Sequence, residues 1–445
     1  MRIAFVGAEA FPFVKIGGLG DVVGALPRAL ARLGLDVTVY LPWYAHINAP
    51  VAGRVVFGCE GHDEEAGLGE LRQDGVRWVF IGLGDFARHG IYGYWDDTRR
   101  FVRFSLAAAA AIDADVVHAH DWQAGLVPAL AAAGRLRAPT IFTVHNIGYQ
   151  GRLSAEYFFR WTGLPWSMFH MDGLEYHGEV NLQKAGIVYS HRVTTVSPTH
   201  AWEMTTPDGG FGLDGVMRKH QGKLIGILNG IDEGYWNPAT DPFVAENYSD
   251  EDGAGKLSCE QALASELDLR GPILGVVSRL AHQKGVDLVL GAMSKIFELG
   301  FSLAVLGAGE AWLEEALTGA ARSHPGRVAF RCGLDEALAH RIYAGSEAIL
   351  VPSRYEPCGL TQMIAQRYGS PPIARSVGGL SDSIEDGRTG LLFAHIDPGA
   401  LAWAIERFAR LENPRALGYE GMRRDFSWDV PAKKYADLYR EVVKA

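Results

Sequence analysis

Cysteine is scarce in this chain. Cys59, Cys259, Cys332 and Cys358 are its four occurrences among 445 residues, and no two of them make a C-x-x-C pair. That scatter excludes a disulfide framework and a structural zinc ribbon, and it fits a reducing compartment. Long apolar runs are missing as well. The most apolar helix-like stretch, around 105–112, falls far short of the roughly 20 residues a membrane-spanning helix needs. Positive charge is in deficit: Lys and Arg total 42 against 52 Asp and Glu, a formal net charge of −10. That balance argues against a nucleic-acid or anionic-membrane partner. An anionic ligand must then be met by a few locally placed cations. The opening Met1-Arg-Ile-Ala-Phe-Val-Gly7 reads as a strand with no signal-peptide profile, and a cytoplasmic location is expected.

What is present is the balance of a soluble globular protein, 48% hydrophobic and 21% charged. At this length two or three domains are expected. Short β-rich runs at 3–7, 37–41, 78–81, 115–118, 140–144 and 192–196 alternate with helical patterns. A second series follows at 273–277, 302–306, 328–331, 348–351 and 372–374. After Gly285, the residues Val286, Val289, Leu290, Met293, Ile296 and Phe297 form one stripe at 3.6-residue spacing. Ser197-Pro198 and Asp397-Pro398 each place an N-cap residue before proline at the first helical position. Strand–helix alternation of this kind predicts an α/β fold of doubly wound parallel sheets covered by helices on both faces.

The series breaks near Asn229-Gly-Ile-Asp232, before a turn-rich acidic stretch. The expected division is a first domain over 1–232, a linker or hinge over 233–270, a second domain over 271–425 and a terminal helix over 426–445. The docking place of that helix cannot be read from its own residues. One loop signature occurs in both halves: Lys15-Ile-Gly-Gly-Leu-Gly-Asp21 is echoed by Ser376-Val-Gly-Gly-Leu-Ser-Asp382. Adjacent glycines let backbone N–H groups approach an anion or a sugar closely, although a glycine-rich turn with a solvated lysine would look the same.

Four further clusters carry candidate chemistry. Arg279 and Lys284 follow the first strand of the second half, where open α/β sheets bind ligands. Two fixed cations there suit a diphosphate. Glu356 precedes Gly359, Leu360 and Thr361, whose N–H groups would open a helix toward an anion. A carboxylate beside an anion site is costly unless it meets a hydroxyl or a developing positive charge, which a reacting sugar supplies; a helix-dipole partner is the plainer role. Cys358 reads as a reactive thiol or as small-residue packing. His118-Ala-His120-Asp121 and Thr143-Val-His145-Asn146 end two successive strands. The H-x-H pair places both imidazoles on one strand face. With Asp121 and His145, it permits a metal-dependent hydrolase as one reading; sugar-hydroxyl contacts from Asp121, His145 and Asn146, with a buried structural His118, are the other. Aromatic residues such as Tyr92, Tyr94, Trp95, Tyr149, Trp161 and Tyr176 are candidates for stacking on sugar faces or for ordinary packing.

Taken together, these motifs resemble the bacterial glycogen synthase and plant starch synthase family. The resemblance rests on Lys15-x-Gly-Gly-Leu-Gly-Asp21, His118-Ala-His-Asp-Trp122, Thr143-Val-His-Asn146 and Leu228-Asn-Gly-Ile-Asp232. Ser278-Arg-Leu280 with Gln283-Lys-Gly285, and Glu356-Pro-Cys-Gly-Leu-Thr361, complete it. It extends through Asp425-Phe-Ser-Trp428 and so covers nearly the whole chain. It implies two Rossmann-like domains facing across a deep cleft, the GT-B architecture. It also implies transfer of glucose from ADP-glucose to the non-reducing end of an α-1,4-glucan such as glycogen, with retention of configuration. Carried over by position, Arg279 and Lys284 would grip the diphosphate. Glu356 would face the donor glucose, and Cys358, Gly359, Leu360 and Thr361 would line the sugar and phosphates. Lys15, Gly17, Gly18 and Asp21 would form the first domain's donor loop. Asp121, His145 and Asn146 would surround the reacting glucose, and Asn229 would contribute at the hinge. No cofactor and no metal are implied, and no oligomeric state. Two departures stand out: Ile16 replaces the family's common Thr or Val, and Ile364 stands where related retaining transferases often carry a second Glu. The stretch 382–390 is also shorter than in many members. A non-catalytic glucan-binding protein on the same fold is the remaining alternative.

Overall fold

The computed structural model describes residues 1–444. They form two compact units, residues 1–229 with 428–444 and residues 230–427.

The first unit is built on a nine-stranded sheet. Its strands are β1 (Arg2–Val6), β2 (Asp36–Pro42), β3 (Val51–Cys59), β4 (His62–Gln73), β5 (Val76–Gly82), β6 (Val116–His120) and β7 (Thr140–Val144). A small sheet of β8 (Arg152–Ser154), β9 (Glu175–Tyr176) and β10 (Glu179–Asn181) intervenes before β11 (Arg192–Thr195) and β12 (Leu224–Gly226) rejoin the main one. The order β12-β11-β7-β6-β1-β2-β5-β4-β3 is parallel from β12 to β5. It reverses direction on either side of β1, as in a Rossmann sheet. The edge hairpin β3–β4 is antiparallel and was not expected: β4 reads HDEEAGLGELRQ and buries only Ala66 and Gly69, so it carries no apolar alternation to announce it. Phe5, Val39, Trp78, Phe80, Phe101 and Phe142 fill the core. The helix Gly18–Arg32 lays Leu19, Val22, Val23, Leu26 and Leu30 against it.

The terminal helix, Asp429–Lys444, docks on this first unit. Tyr435, Ala436 and Tyr439 join its core, and the Tyr439 hydroxyl lies 2.8 Å from His118 Nδ1.

The second unit has a six-stranded parallel sheet in the order β15-β14-β13-β16-β17-β18. Its strands are β13 (Ile273–Val277), β14 (Ser302–Gly307), β15 (Val328–Cys332), β16 (Ala348–Val351), β17 (Pro372–Arg375) and β18 (Leu391–Phe393). Numbered within the unit this is 3-2-1-4-5-6, the Rossmann order. Both anticipated caps form: Ser197 accepts from the His200 N–H and Asp397 from the Ala400 N–H.

Residues 233–270, read from sequence as a linker, fall inside this second unit. Two buried polar anchors explain why. Asp241 meets His340 Nδ1 at 2.6 Å and accepts from the Tyr368 hydroxyl. Lys256, on the helix Ala254–Glu266, donates to the Ala344 and Ser346 carbonyls and to Ser370 Oγ at 2.6–2.9 Å. Burial pushes Lys256 down to about 8, a cost that three hydrogen bonds offset.

Candidate active site

In each sheet the winding direction changes beside the first strand, between β1 and β6 and between β13 and β16. At such a switch point the loops after the two strands diverge and open a crevice. Most candidate residues lie on these loops in both units, while His145 and Asn146 follow the neighbouring β7 and Asn229 follows β12.

In the first unit, the loop after β1 is organised by Glu9, which sequence reasoning missed. Glu9 is 4% exposed. Its Oε2 accepts the Ile16 and Gly17 N–H groups at 2.6 and 3.1 Å, and its Oε1 accepts the Tyr92 hydroxyl at 2.6 Å. Burial, then the neighbouring Glu9 charge, raises the Tyr92 hydroxyl well above its ordinary range, so it stays a donor. The one available signal was an acidic residue set among Gly7, Ala8 and Ala10. Lys15 pairs with Asp21 at 2.7 Å, both reaching solvent. A side chain added at Gly17 or Gly18 would meet nothing within 4 Å; the space over these glycines is open to a ligand.

The ends of β6 and β7 meet through Asp121. Held at φ 54°, it turns its buried carboxylate back so that Oδ1 accepts the His145 N–H at 2.7 Å and the Asn146 N–H at 3.4 Å. Burial pushes Asp121 up to about 7, partly countered by those two N–H groups and Gln183. His145 Nε2 lies 2.9 Å from His120 Nδ1, and Asn146 Oδ1 accepts the Gly148 N–H. Asn229, where the unit ends, is buried, and its Oδ1 has no partner among the described residues.

The H-x-H pair is no chelate in this arrangement. His118 has Tyr439 on Nδ1 and Thr143 Oγ1 on Nε2, at 2.8 and 2.5 Å. A neutral imidazole has one N–H and one lone pair, and both are spent. The hydrolase reading fails on that geometry, and His118 is structural.

These buried rings carry a pH prediction. Burial holds His118 and His120 well below the ordinary histidine range and His145 at about 3. Below about 6.5 the unfolded chain therefore binds the more protons at three positions, down to about 3 for His145, and stability falls as pH drops below 6.5. Asp121 acts oppositely between about 3.8 and 7, but it is one group against three. Urea midpoints should fall steadily from pH 6.5 to 4.5; a flat profile would contradict the neutral buried rings.

In the second unit, Arg279 and Lys284 lie on the loop after β13 and Glu356 on the loop after β16. Lys284 Nζ donates to Glu356 Oε2 at 2.6 Å, and Ser353 Oγ to the same oxygen at 2.8 Å. Glu356 is 6% exposed, yet its Oε1 has no protein hydrogen bond among the described residues and stays available. Arg279 is exposed and forms no ion pair among the described residues; its one side-chain contact is Gln283 Oε1 at 3.5 Å. The Glu356 loop is braced by residues that sequence reasoning missed. Arg354 forks onto Asp287 at 2.7 Å through both Nη atoms, and Arg375 Nε donates to the Ser353 carbonyl. Nothing in the local sequence distinguishes these arginines from solvated ones.

Gly359 sits at φ +73°, where a side chain would be strained. Cys358 is buried, and Leu360 and Thr361 open the short helix Thr361–Arg367. The echo loop packs onto this segment: the Gly379 N–H donates to the Glu356 carbonyl, and a Cβ there would stand 2.1 Å from the Cys358 oxygen. The two glycine loops therefore differ. Gly17 and Gly18 face open space, whereas Gly379 is glycine because the backbone of Cys358 occupies the space a side chain would need. Of the aromatic candidates, Trp95 is 94% exposed and Tyr149 also faces solvent, while Trp161 is buried.

Residues 2–219 match the family model described as starch synthase catalytic domain, and residues 271–410 the model described as glycosyl transferases group 1. Two Rossmann-like units with these matches define a glycosyltransferase. The chain is 49% identical over 444 residues to glycogen synthase of Thermus thermophilus, covering all of both chains. It is 49% identical over 454 residues to glycogen synthase of Deinococcus radiodurans, covering 99% of this chain and all of that one. The solved catalytic domain of starch synthase IV from Arabidopsis thaliana, bound to ADP and acarbose, matches with a TM-score of 0.92 at 36% identity, covering 100% of this chain and 99% of that chain. Sucrose-phosphate synthase from Thermosynechococcus elongatus, at TM-score 0.68 and 21% identity, covers 99% of this chain and 98% of that chain and shares the fold. The chain belongs to the family of glycogen synthases and starch synthases, which are hexosyltransferases. Among the described residues no helix is long and apolar enough to cross a membrane.

Proposed function

We propose that the protein transfers glucose from ADP-glucose to the non-reducing end of an α-1,4-glucan, with retention of configuration. The observation that carries this reading is the set around the second unit's switch point. In a chain of net charge −10, Arg279 has no carboxylate partner among the described residues, and Lys284 reaches the carboxylate of Glu356. That is a local anion site with one carboxylate oxygen to spare.

The chemistry needs the bond from the anomeric carbon to the diphosphate to break with its electron pair leaving on ADP. The acceptor hydroxyl oxygen bonds to that carbon, and its proton passes to the departing diphosphate. Arg279, Lys284 and the N–H groups of Gly359, Leu360 and Thr361 meet the growing negative charge, with Lys15 a further cation. Cations of the chain fill this role, so the reading assigns none to a metal. Glu356 Oε1 faces the sugar, and Asp121, His145 and Asn146 meet its hydroxyls, with the His145 carbonyl toward the positive anomeric centre. Asn229, whose buried Oδ1 has no partner among the described residues, adds a polar group at the end of the first unit.

The experiment is a side-by-side assay of glucose incorporation into glycogen from ADP-glucose and UDP-glucose. Turnover at least about tenfold faster with ADP-glucose is expected, as about 1.4 kcal/mol of transition-state discrimination would give. Preference for UDP-glucose would overturn the donor assignment, and glycogen binding with no ADP release would favour a non-catalytic glucan-binding protein.

A further inference from the structure

Three buried imidazoles stand behind the β6–β7 strand ends, and the proposed chemistry uses only His145. His118 is occupied at both nitrogens by Tyr439 and Thr143. His120 lies between the other two rings, its centroid 4.1 Å from that of His118, and stacks on Phe5 at 5.2 Å and 18°. Its Nδ1 is 2.9 Å from His145 Nε2, and its own Nε2 is buried with no partner among the described residues. His145 Nδ1 is different: it makes no protein hydrogen bond among the described residues, yet it is not among the sealed, unpartnered atoms.

A hydrogen bond between two ring nitrogens needs one proton. Burial keeps His120 and His145 neutral at pH 7, so each ring carries a single N–H. Two arrangements satisfy the 2.9 Å contact. In the first, His120 donates from Nδ1 and its orphaned Nε2 is a bare lone pair. In the second, His145 donates from Nε2 and the orphaned His120 Nε2 carries the N–H. An orphaned buried N–H is the rarer case in folded proteins, because a donor stripped of water has no substitute acceptor. The first arrangement therefore wins, and it leaves the only proton of His145 on Nδ1.

We infer that His120 is a positioning residue that fixes His145 as its Nδ1–H tautomer, so that His145 meets a ligand oxygen as a hydrogen-bond donor. Asp121 pins the backbone of His145 and His120 pins its ring, so neither end swings. In the opposite tautomer the same ring would offer a lone pair and demand a hydroxyl proton instead. The functional consequence rests on the proposed contact between His145 and the transferred glucose; the location of the proton does not.

The test is a long-range 1H–15N correlation spectrum of the full chain labelled with [15N]histidine, the His145 signals assigned with a His145→Gln variant. A protonated Nδ1 and a bare Nε2 on His145 are expected. A protonated Nε2, or averaging between the two, overturns the inference. Kinetics supply the second arm. His120→Leu removes the donor, whereas His120→Asn returns an amide N–H to the position of Nδ1. The Leu variant should lose about 10- to 100-fold in kcat, with KM for ADP-glucose moving by less than about threefold. The Asn variant should recover to within about threefold of the unmodified chain. Equal losses in both variants overturn the positioning role, because packing alone would not separate them. An unmodified chain with no nucleotide-sugar turnover would remove the glucosyltransfer reading, while the spectrum would still decide the tautomer.

Discussion

Arg279→Ala is expected to lower turnover by about 10²- to 10³-fold, the usual loss when one donor to developing charge is removed. Lys284→Ala should match it. The two differ in what they do to the resting protein. Arg279 is exposed and has no ion-pair partner among the described residues, so its removal leaves the melting temperature unchanged and the kinetic loss reports on ligand alone. Lys284 neutralises a carboxylate that is nearly enclosed. Removing it strands that charge and costs on the order of 3 kcal/mol of stability. Glucose incorporation into glycogen, read beside thermal melts, separates the effects. Near-normal turnover in both variants would sink the diphosphate assignment.

Glu356→Gln carries the second large effect. The substitution keeps the shape of the side chain and an acceptor for Ser353 and Lys284, but removes the charge. Glu356 Oε1 is the atom left over after those contacts. If it faces a sugar that turns positive in the transition state, the loss should fall on kcat, by about 10²-fold, with KM for ADP-glucose within about threefold. A raised KM at unchanged kcat would make Glu356 a ground-state binding group and remove it from the chemistry.

The inner parallel strands and the caps were legible because buried parallel strands are continuous apolar runs and the capping residues act locally; the three-residue edge strands β12 and β18 were too short to show as such runs. The β3–β4 hairpin was not, since β4 is charged and glycine-rich and borrows its place from β5. Segment 233–270 looked like a linker because its anchors, Asp241 and Lys256, find their partners about 100 residues away. The site shows the same division. Arg279, Lys284, Glu356 and His145 stood out as polar residues after apolar strands, which is a one-dimensional signal. Glu9, Ser353, Arg354 and Arg375 did not, because what they hold is backbone or a neighbouring side chain. The H-x-H motif misled for a related reason: spacing gives the strand face, and only tertiary packing shows that Thr143 and Tyr439 already occupy His118.

The docking of the helix Asp429–Lys444 on the first unit has a consequence for synthesis. All strands of the nine-stranded sheet precede residue 230, but the bed under Tyr435 and Tyr439 stays uncovered until residues 230–427 have been made. At ribosomal rates of about 5–20 residues per second, that interval is roughly 10–40 s. Through it, His118 waits without its Tyr439 partner and an apolar face of the first unit stands open. The part of the chain made first is thus the part completed last.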